Sequence, residues 1–174
     1  TIESEPEKLV FHVDAKDEPS TLYVFAAAVN DYPNPLDFAV PDAKSFSEAF
    51  KPGLYEKVEK VLLLDRDATK SSIIEKLSSL PCRPQDTLLV FLAGHGTIID
   101  EKFHYLPFGT TGSKSEEALS SQELGQVLAK LPATRQVLFL DTCHAGASAK
   151  DLAELLVEKD TPLTASVSGS QFIK

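Results

Sequence analysis

The sequence predicts an α/β fold in which helices cover both faces of a mostly parallel sheet. Two short, almost wholly apolar runs, residues 87–93 and 137–140, have the composition of strands that are buried on both sides. Helical periodicity separates such runs: Ala39, Ala43 and Phe46, for example, recur at steps of four and three. Alternating strands and helices are typical of a parallel sheet between two helical layers.

Each further element has its own signal along the chain. An apolar run marks each strand, and an apolar residue at every third or fourth position marks each helix. Ser120 and Glu123 have the spacing of a helix capping box. In chain order, these signals predict strands at 9–13, 22–29 and 58–64, a helix from about Thr69 to Leu80, an extended piece or small hairpin at 103–108, helices over 120–131 and through 152–156, and a strand at 163–168.

Length and composition fit one globular domain. The chain has 174 residues, 43% hydrophobic and 25% charged, which is enough to bury a core. We assign residues 1–20 to an N-terminal edge segment and residues 21–174 to the domain. With 26 acidic and 17 basic side chains, the net charge is −9. This charge argues against nucleic acid or an anionic membrane as a partner and suits a cationic substrate.

The chain has only two cysteines, Cys82 and Cys143. Two cysteines do not make a disulfide framework, so we expect a reducing compartment and a cytoplasmic location. Residues 1–174 contain neither a secretory signal pattern nor an apolar run near the roughly 18 residues that span a bilayer. Because the numbered chain begins with Thr1 and contains no Met, we expect it to be a fragment or a processed product.

Two candidate catalytic residues follow two of the predicted buried strands. His95, between two glycines, follows residues 87–93, and Cys143 follows residues 137–140 after two polar residues. Parallel neighbouring strands would present both side chains at one sheet edge, where loops form a crevice. A lone cysteine is more often a buried structural residue. A cysteine with a histidine close in space, however, is the arrangement for nucleophilic attack, because the imidazole can take the thiol proton.

The motifs around these residues resemble those of the caspase-like cysteine peptidases. His95 precedes Cys143 by about 50 residues, the spacing known for caspases. The resemblance runs from about residue 22 to residue 171 and implies the caspase-like three-layer sandwich. It is closest to the metacaspase and bacterial caspase-like branch, whose motif is D-x-C-H-[SA]-G. The matching stretches, in the family's order, are FLAGHG at 91–96, HYLP at 104–107, LSSQEL at 119–124 and DTCHAG at 141–146.

The resemblance implies an activity, peptide hydrolysis without a metal or other cofactor. Cys143 would be the nucleophile, and His95 the base and acid that handles the thiol and leaving-amine protons. Backbone N–H groups of Gly96 and Cys143 would stabilise the oxyanion. No Asp or Asn is clearly placed in the sequence to orient His95. The family therefore suggests a Cys-His dyad, often with a backbone carbonyl as third partner.

The resemblance also suggests which substrates bind. In metacaspases the pocket for the residue before the cut is lined by two aspartates, which match Asp141 and Asp42 here, although Ala39 and Pro41 replace the family's Cys and Asn near the second. Two carboxylates would select Arg or Lys by charge-assisted hydrogen bonds. We therefore predict cleavage after basic residues and not after aspartate. A purely structural reading of Asp42 is also open, because a helix N-terminus favours a carboxylate.

Two other histidines are weaker candidates. His104 competes with His95 for the catalytic role, but it lies between two aromatic residues, which favours a packing or surface position. His144 adjoins the nucleophile, but successive residues at a strand end point in opposite directions. We therefore assign His144 a structural role.

Alternatives to a peptidase remain. An inactive caspase-like scaffold is the main one, because fold does not prove function. A phosphatase would need a C-x5-R loop, but Ala149 holds the arginine position. A dinucleotide-binding domain would need a G-x-G-x-x-G segment after the first strand, and the sequence has none there. Calcium activation is known among metacaspases, and the acidic composition allows it. The sequence has no compact D-x-[DN]-x-[DN]-G loop that would indicate it, so this question stays open.

The expected partners are a protein or peptide substrate and the chain's own C-terminal small fragment. The numbered chain stops at Lys174, before the last sheet strands of a full caspase-like domain. Either this end is a chosen boundary or a cut made during preparation, or the chain cleaves itself after Lys174, leaving a large fragment paired with a smaller one.

Overall fold

The computed structural model describes residues 19–111, 116–142 and 163–167, the last of these as backbone only. A short 3₁₀ turn, Asp65–Asp67, precedes the second helix. In chain order the elements are β1 (Thr21–Ala28), α1 (Ala39–Ala49), β2 (Lys57–Leu64), α2 (Lys70–Ser78), β3 (Thr87–Gly94), β4 (Gly96–Ile99), β5 (Lys102–Tyr105), β6 (Leu119–Ser120), α3 (Ser121–Lys130), β7 (Arg135–Thr142) and β8 (Leu163–Val167).

Five strands form a parallel sheet in the order β2-β1-β3-β7-β8. The other three form a small antiparallel sheet in the order β4-β5-β6. In the large sheet, Ala93 lies beside Asp141 and Gly94 beside Thr142. The chain therefore leaves β3 and β7 at the same edge, which confirms the predicted parallel arrangement.

Helices cover both faces of the large sheet. All eight residues of β1 are buried, because side chains that alternate along a strand meet a helical layer on either side. Its odd-numbered residues pack in the main core with α2 and α3. Its even-numbered residues lie on the side of α1, where Phe46 stacks on Phe91 with ring centroids 4.6 Å apart. The predicted three-layer α/β sandwich is confirmed.

The sequence signals for two helix starts are also confirmed. Thr69 caps α2, its hydroxyl accepting a hydrogen bond from the Ser72 N–H at 3.2 Å. At α3, Ser120 and Glu123 form the complete capping box, with bonds of 3.1 and 3.0 Å. The residue before α1, Phe38, offers no side-chain cap. Within the described ranges, none of the helices combines the length and apolarity needed to cross a membrane.

The extended piece or small hairpin predicted at 103–108 is part of a hairpin that begins and ends earlier. β4 begins at Gly96, directly after His95, and pairs with β5, which ends at Tyr105. Two adjacent β-branched residues, Ile98 and Ile99, favour the extended conformation in β4. The elements predicted at 9–13 and 152–156 lie outside the described residues.

Asp86 ties together the amino ends of β1 and β3. Its carboxylate is inaccessible to solvent and accepts hydrogen bonds from the Thr21 N–H and the Arg83 N–H, both at 2.8 Å. The Arg83 guanidinium lies 3.1 Å away. Burial alone would raise the pKa of Asp86, but the hydrogen bonds from Arg83 and Thr21 outweigh it and hold the pKa below its usual value.

Replacing this carboxylate should destabilise the fold in a pH-dependent way. We expect D86N to lower the free energy of unfolding by about 1.5–3 kcal/mol at neutral pH, since hydrogen bonds to a charged group are lost. Because the folded pKa is depressed, the charge stabilises the protein above the unfolded pKa and stops doing so as the pH falls through the folded value. The difference from wild type should shrink below about pH 4.

Urea unfolding at neutral and acidic pH measures this difference. The control is E48Q, an exposed carboxylate on α1, which should change stability by less than about 0.5 kcal/mol. A D86N deficit that does not depend on pH would show that the charge of Asp86 is not what stabilises the strand ends.

Candidate active site

Of the two predicted catalytic residues, the structure describes His95, which lies at the carboxyl edge of the large sheet. His95 directly follows β3, and Asp141 is the next-to-last residue of β7. Cys143 and His144 lie outside the described residues, but the chain enters Cys143 directly from Thr142, which pairs with Gly94. The described part of the site therefore consists of the histidine, the acidic residues and the loops around them.

The His95 imidazole is held by the loop between β1 and α1. Its Nε2 lies 2.8 Å from the carbonyl oxygen of Asn34. A carbonyl can only accept a hydrogen bond, so Nε2 carries the proton and donates. The Nδ1 atom is then the nitrogen with a free lone pair, and His95 can act as a base through it.

Tyr32, from the same loop, bridges His95 to the following strand pair. Its hydroxyl accepts a hydrogen bond from the His95 N–H at 3.1 Å and donates one to the Leu106 carbonyl at 2.6 Å. The two rings are in contact, with centroids 4.5 Å apart and planes inclined by 48°. Burial raises the pKa of Tyr32 to about 12, so the phenol stays protonated and able to donate at neutral pH.

Gly94 makes room for this bridge. Its φ of +150° is a conformation that side chains rarely adopt, and a Cβ there would lie 2.5 Å from the Tyr32 hydroxyl. Tyr105 approaches the same position and donates a hydrogen bond to the Ala93 carbonyl at 3.0 Å. Burial raises the pKa of Tyr105 well above its usual value, so it too remains a donor.

Gly96 occupies the first position of β4, opposite Tyr105. The preceding pair is hydrogen-bonded, since the Leu106 N–H donates to the His95 carbonyl at 2.9 Å. Hydrogen-bonded and non-bonded pairs alternate along an antiparallel ladder. The Gly96 N–H therefore points away from β5, as a donor to an oxyanion would have to.

Asp65 fixes the start of the loop that carries Tyr32 and Asn34. One of its carboxylate oxygens accepts hydrogen bonds from the Asn30 N–H at 2.7 Å and the Asp31 N–H at 3.0 Å. The Asn30 side chain in turn accepts one from the Val40 N–H at 3.1 Å, in the first turn of α1. The loop is thus anchored both to the 3₁₀ turn and to the helix that follows it.

The two predicted pocket carboxylates are electrostatic neighbours. Asp141 is half-buried and Asp42 is exposed in the first turn of α1. Burial raises the pKa of the Asp141 carboxyl above its usual value, and the nearby Asp42 carboxylate raises it further. A cationic group placed between them would relieve this repulsion. Within residues 19–111 and 116–142, no three His, Cys, Asp or Glu side chains converge as a metal site would require.

His104 is 6% exposed, and its Nδ1 lies 3.0 Å from the Lys102 carbonyl oxygen within β5. It is a packing residue, as its aromatic neighbours indicated. Sequence reasoning missed Tyr32, Asn34 and Asp65. For Tyr32 and Asn34 the signal was an aromatic residue in a Pro- and Asn-rich loop just after a buried strand, and for Asp65 there was none.

Comparison with known proteins agrees with this architecture. The model of the caspase domain family matches residues 24–170, whereas no curated protein matches the sequence. Among solved structures, protein GSU0716 from Geobacter sulfurreducens matches with a TM-score of 0.57 and 18% identity, covering 78% of this chain and 55% of that one. At this identity the likeness shows the fold alone, and this chain spans about half the length of that protein.

A side chain at Gly94 should disrupt the site and the fold together. We expect G94A to lower the free energy of unfolding by about 1–3 kcal/mol, because the backbone is strained and the added methyl displaces the Tyr32 hydroxyl. G53A is the matched control, since no atom lies within 4 Å of its added Cβ, and it should change stability by less than about 0.5 kcal/mol. Chemical unfolding measures both, and equal stabilities would contradict the close approach.

Proposed function

The chain belongs to the caspase domain family, and from this premise we propose that it is a cysteine endopeptidase. In this proposal Cys143 and His95 form the catalytic dyad of a metacaspase-like enzyme. The observation that carries it is the His95 imidazole, which sits at the edge of the sheet from which Cys143 follows and is held through Nε2 by a backbone carbonyl.

The proposed reaction uses each nitrogen of His95 differently. Nε2 keeps its proton on the Asn34 carbonyl, while Nδ1 accepts the proton of the Cys143 thiol. The thiolate attacks the peptide carbonyl carbon, and the resulting oxyanion accepts hydrogen bonds from the N–H groups of Gly96 and Cys143. Nδ1 then gives its proton to the departing amine as the C–N bond breaks. A water molecule, deprotonated by Nδ1, hydrolyses the thioester and regenerates the thiol.

The proposed substrates carry Arg or Lys before the cut. Asp141 and Asp42 interact electrostatically at the site edge, and a bound guanidinium or ammonium would neutralise both. The net charge of −9 would favour the approach of basic substrates. An aspartate in the same position would meet two like charges, which costs several kcal/mol.

A peptide panel tests the activity and the pocket. Using the full-length protein and fluorogenic peptides that differ only before the cut, we expect cleavage after Arg or Lys to exceed cleavage after Asp at least about 100-fold in kcat/KM. C143A should abolish it. C82A is the matched control, because Cys82 is buried and burial raises its thiol pKa to about 11, so its removal should leave cleavage intact.

The outcomes separate the proposals. Preferred cleavage after Asp would retain the peptidase and reject the acidic pocket. Activity that survives in C143A would reject Cys143 as nucleophile. No cleavage of any peptide would favour the inactive scaffold.

The pH dependence of basic selectivity tests the pair Asp42–Asp141 directly. We expect the ratio of kcat/KM for Arg over citrulline, its uncharged isostere, to fall on acidification, because Asp141 takes up its proton at higher pH than an ordinary Asp. Taking the ratio cancels the titration of the dyad. D42N removes one cause of the raised pKa, so the fall should move to lower pH.

D141N should weaken the pH dependence of this ratio, since only Asp42 is left to titrate. It should raise KM for the Arg peptide about 10- to 100-fold, the value of a lost charge-assisted hydrogen bond. The control is D37N, which changes an exposed acid of the loop between β1 and α1. It should change neither KM nor the pH at which the ratio falls. A ratio in D42N that falls at the wild-type pH would mean that the two carboxylates do not share a pocket.

A further inference from the structure

The Tyr32 hydroxyl takes the place of one hydrogen bond in the His95–Leu106 backbone pair. In an antiparallel hydrogen-bonded pair, each residue donates to the carbonyl of the other. Leu106 donates to the His95 carbonyl at 2.9 Å. The return bond is replaced by the Tyr32 hydroxyl, which takes the His95 N–H at 3.1 Å and gives its own proton to the Leu106 carbonyl at 2.6 Å.

The insertion couples the β1–α1 loop to the backbone of the proposed base. The same loop supplies the Asn34 carbonyl that accepts from His95 Nε2. His95 is therefore held by this loop at its backbone N–H, at its ring face and at Nε2. If the Tyr32 hydroxyl is lost, the loop is released from the His95–Leu106 pair, and the carbonyl that fixes the protonated nitrogen is no longer held in place.

The site is built for the hydroxyl and not only for the ring. Position 94 lacks a Cβ where one would lie 2.5 Å from the Tyr32 oxygen. A phenylalanine at position 32 would leave the His95 N–H and the Leu106 carbonyl without this partner in a half-buried position, which is unfavourable. The three atoms of the bridge are not reacting atoms, so their effect on chemistry must pass through the orientation of the imidazole.

We propose that Tyr32 is a positioning residue: by locking the β1–α1 loop onto the His95–Leu106 pair, it keeps His95 in the tautomer with the proton on Nε2 and Nδ1 free. The proposal deepens the proposed function and rests on it for its consequence in catalysis. Tyr32 acts through the loop and through the backbone of His95, and it thereby sets which nitrogen of the base carries the proton.

The test compares Y32F with Y55F in the full-length protein. Tyr55 is the control, because its hydroxyl also takes part in a partly buried hydrogen bond, to Thr87 Oγ1 at 3.0 Å, but at the opposite end of β3. We expect Y32F to lower kcat about 10- to 100-fold with little change in KM, the scale of a misplaced catalytic group. Y55F should leave both within about twofold of wild type.

The decisive readout is the tautomer of His95. A loss of stability elsewhere in the fold, as in Y55F, would not change this tautomer. Long-range ¹H–¹⁵N spectra distinguish protonated from unprotonated imidazole nitrogens, and the His95 signals among the four histidines are assigned by their loss in His95→Gln. We expect one tautomer, protonated at Nε2, in wild type and Y55F, and a mixture in Y32F. A wild-type tautomer in Y32F, or equal mixtures in Y32F and Y55F, would overturn the proposal.

Two further arms keep the outcome interpretable. If wild type cleaves no peptide, the proposed function fails, while the tautomer comparison still decides whether Tyr32 positions His95. If Y32F does not fold, hydrogen exchange of the His95 amide in wild type takes its place: protection is expected for a donor bound to Tyr32, and exchange at the rate of a free amide would refute the bridge.

Discussion

The close approach of the Tyr32 hydroxyl to Gly94 is the contact on which the rest of the site depends. β3 has to leave the large sheet and begin the small one within a single residue, His95, and the backbone polar groups at that junction still need partners. A single phenol oxygen satisfies an N–H on one side and a carbonyl on the other. It fits only because position 94 carries no Cβ.

Two aspartates at opposite ends of the large sheet show how these ends differ. At the amino end, Asp86 is surrounded by donors that lower its pKa despite burial, so it is a charged structural link. At the carboxyl end, both burial and Asp42 raise the pKa of Asp141. A carboxylate destabilised in this way gains by binding a cation, whereas Asp86 already has its partners. The amino end thus holds a carboxylate whose partners are in place, and the carboxyl end holds one that a cation would stabilise.

Much of the fold could be read from local patterns, because burial on both faces leaves continuous apolar runs and capping leaves a short signature. The runs at β1, β3 and β7 and the box of Ser120 and Glu123 are of this kind. For the candidate site, the sequence indicated His95 and Cys143 and, through a family resemblance, Gly96, Asp42 and Asp141, but not the contacts that hold the histidine. Tyr32 and Leu106, whose contact spans 74 positions, share no local pattern. Their pairing exists only once β3 has turned into β4.

The register of the sheet explains why a dyad is reasonable even though only one member lies in the described part of the chain. Eight consecutive pairs join β3 to β7, ending at Gly94 and Thr142, and a slip by one residue would turn every core side chain to the wrong face. Neighbouring strands are about 4.8 Å apart, and His95 and Cys143 each follow the last paired residue in sequence. The sheet core therefore ends the two strands side by side, and each candidate residue is the next one in sequence. What the loops must add is orientation. In the described loops, Tyr32 and Asn34 supply that orientation for the histidine.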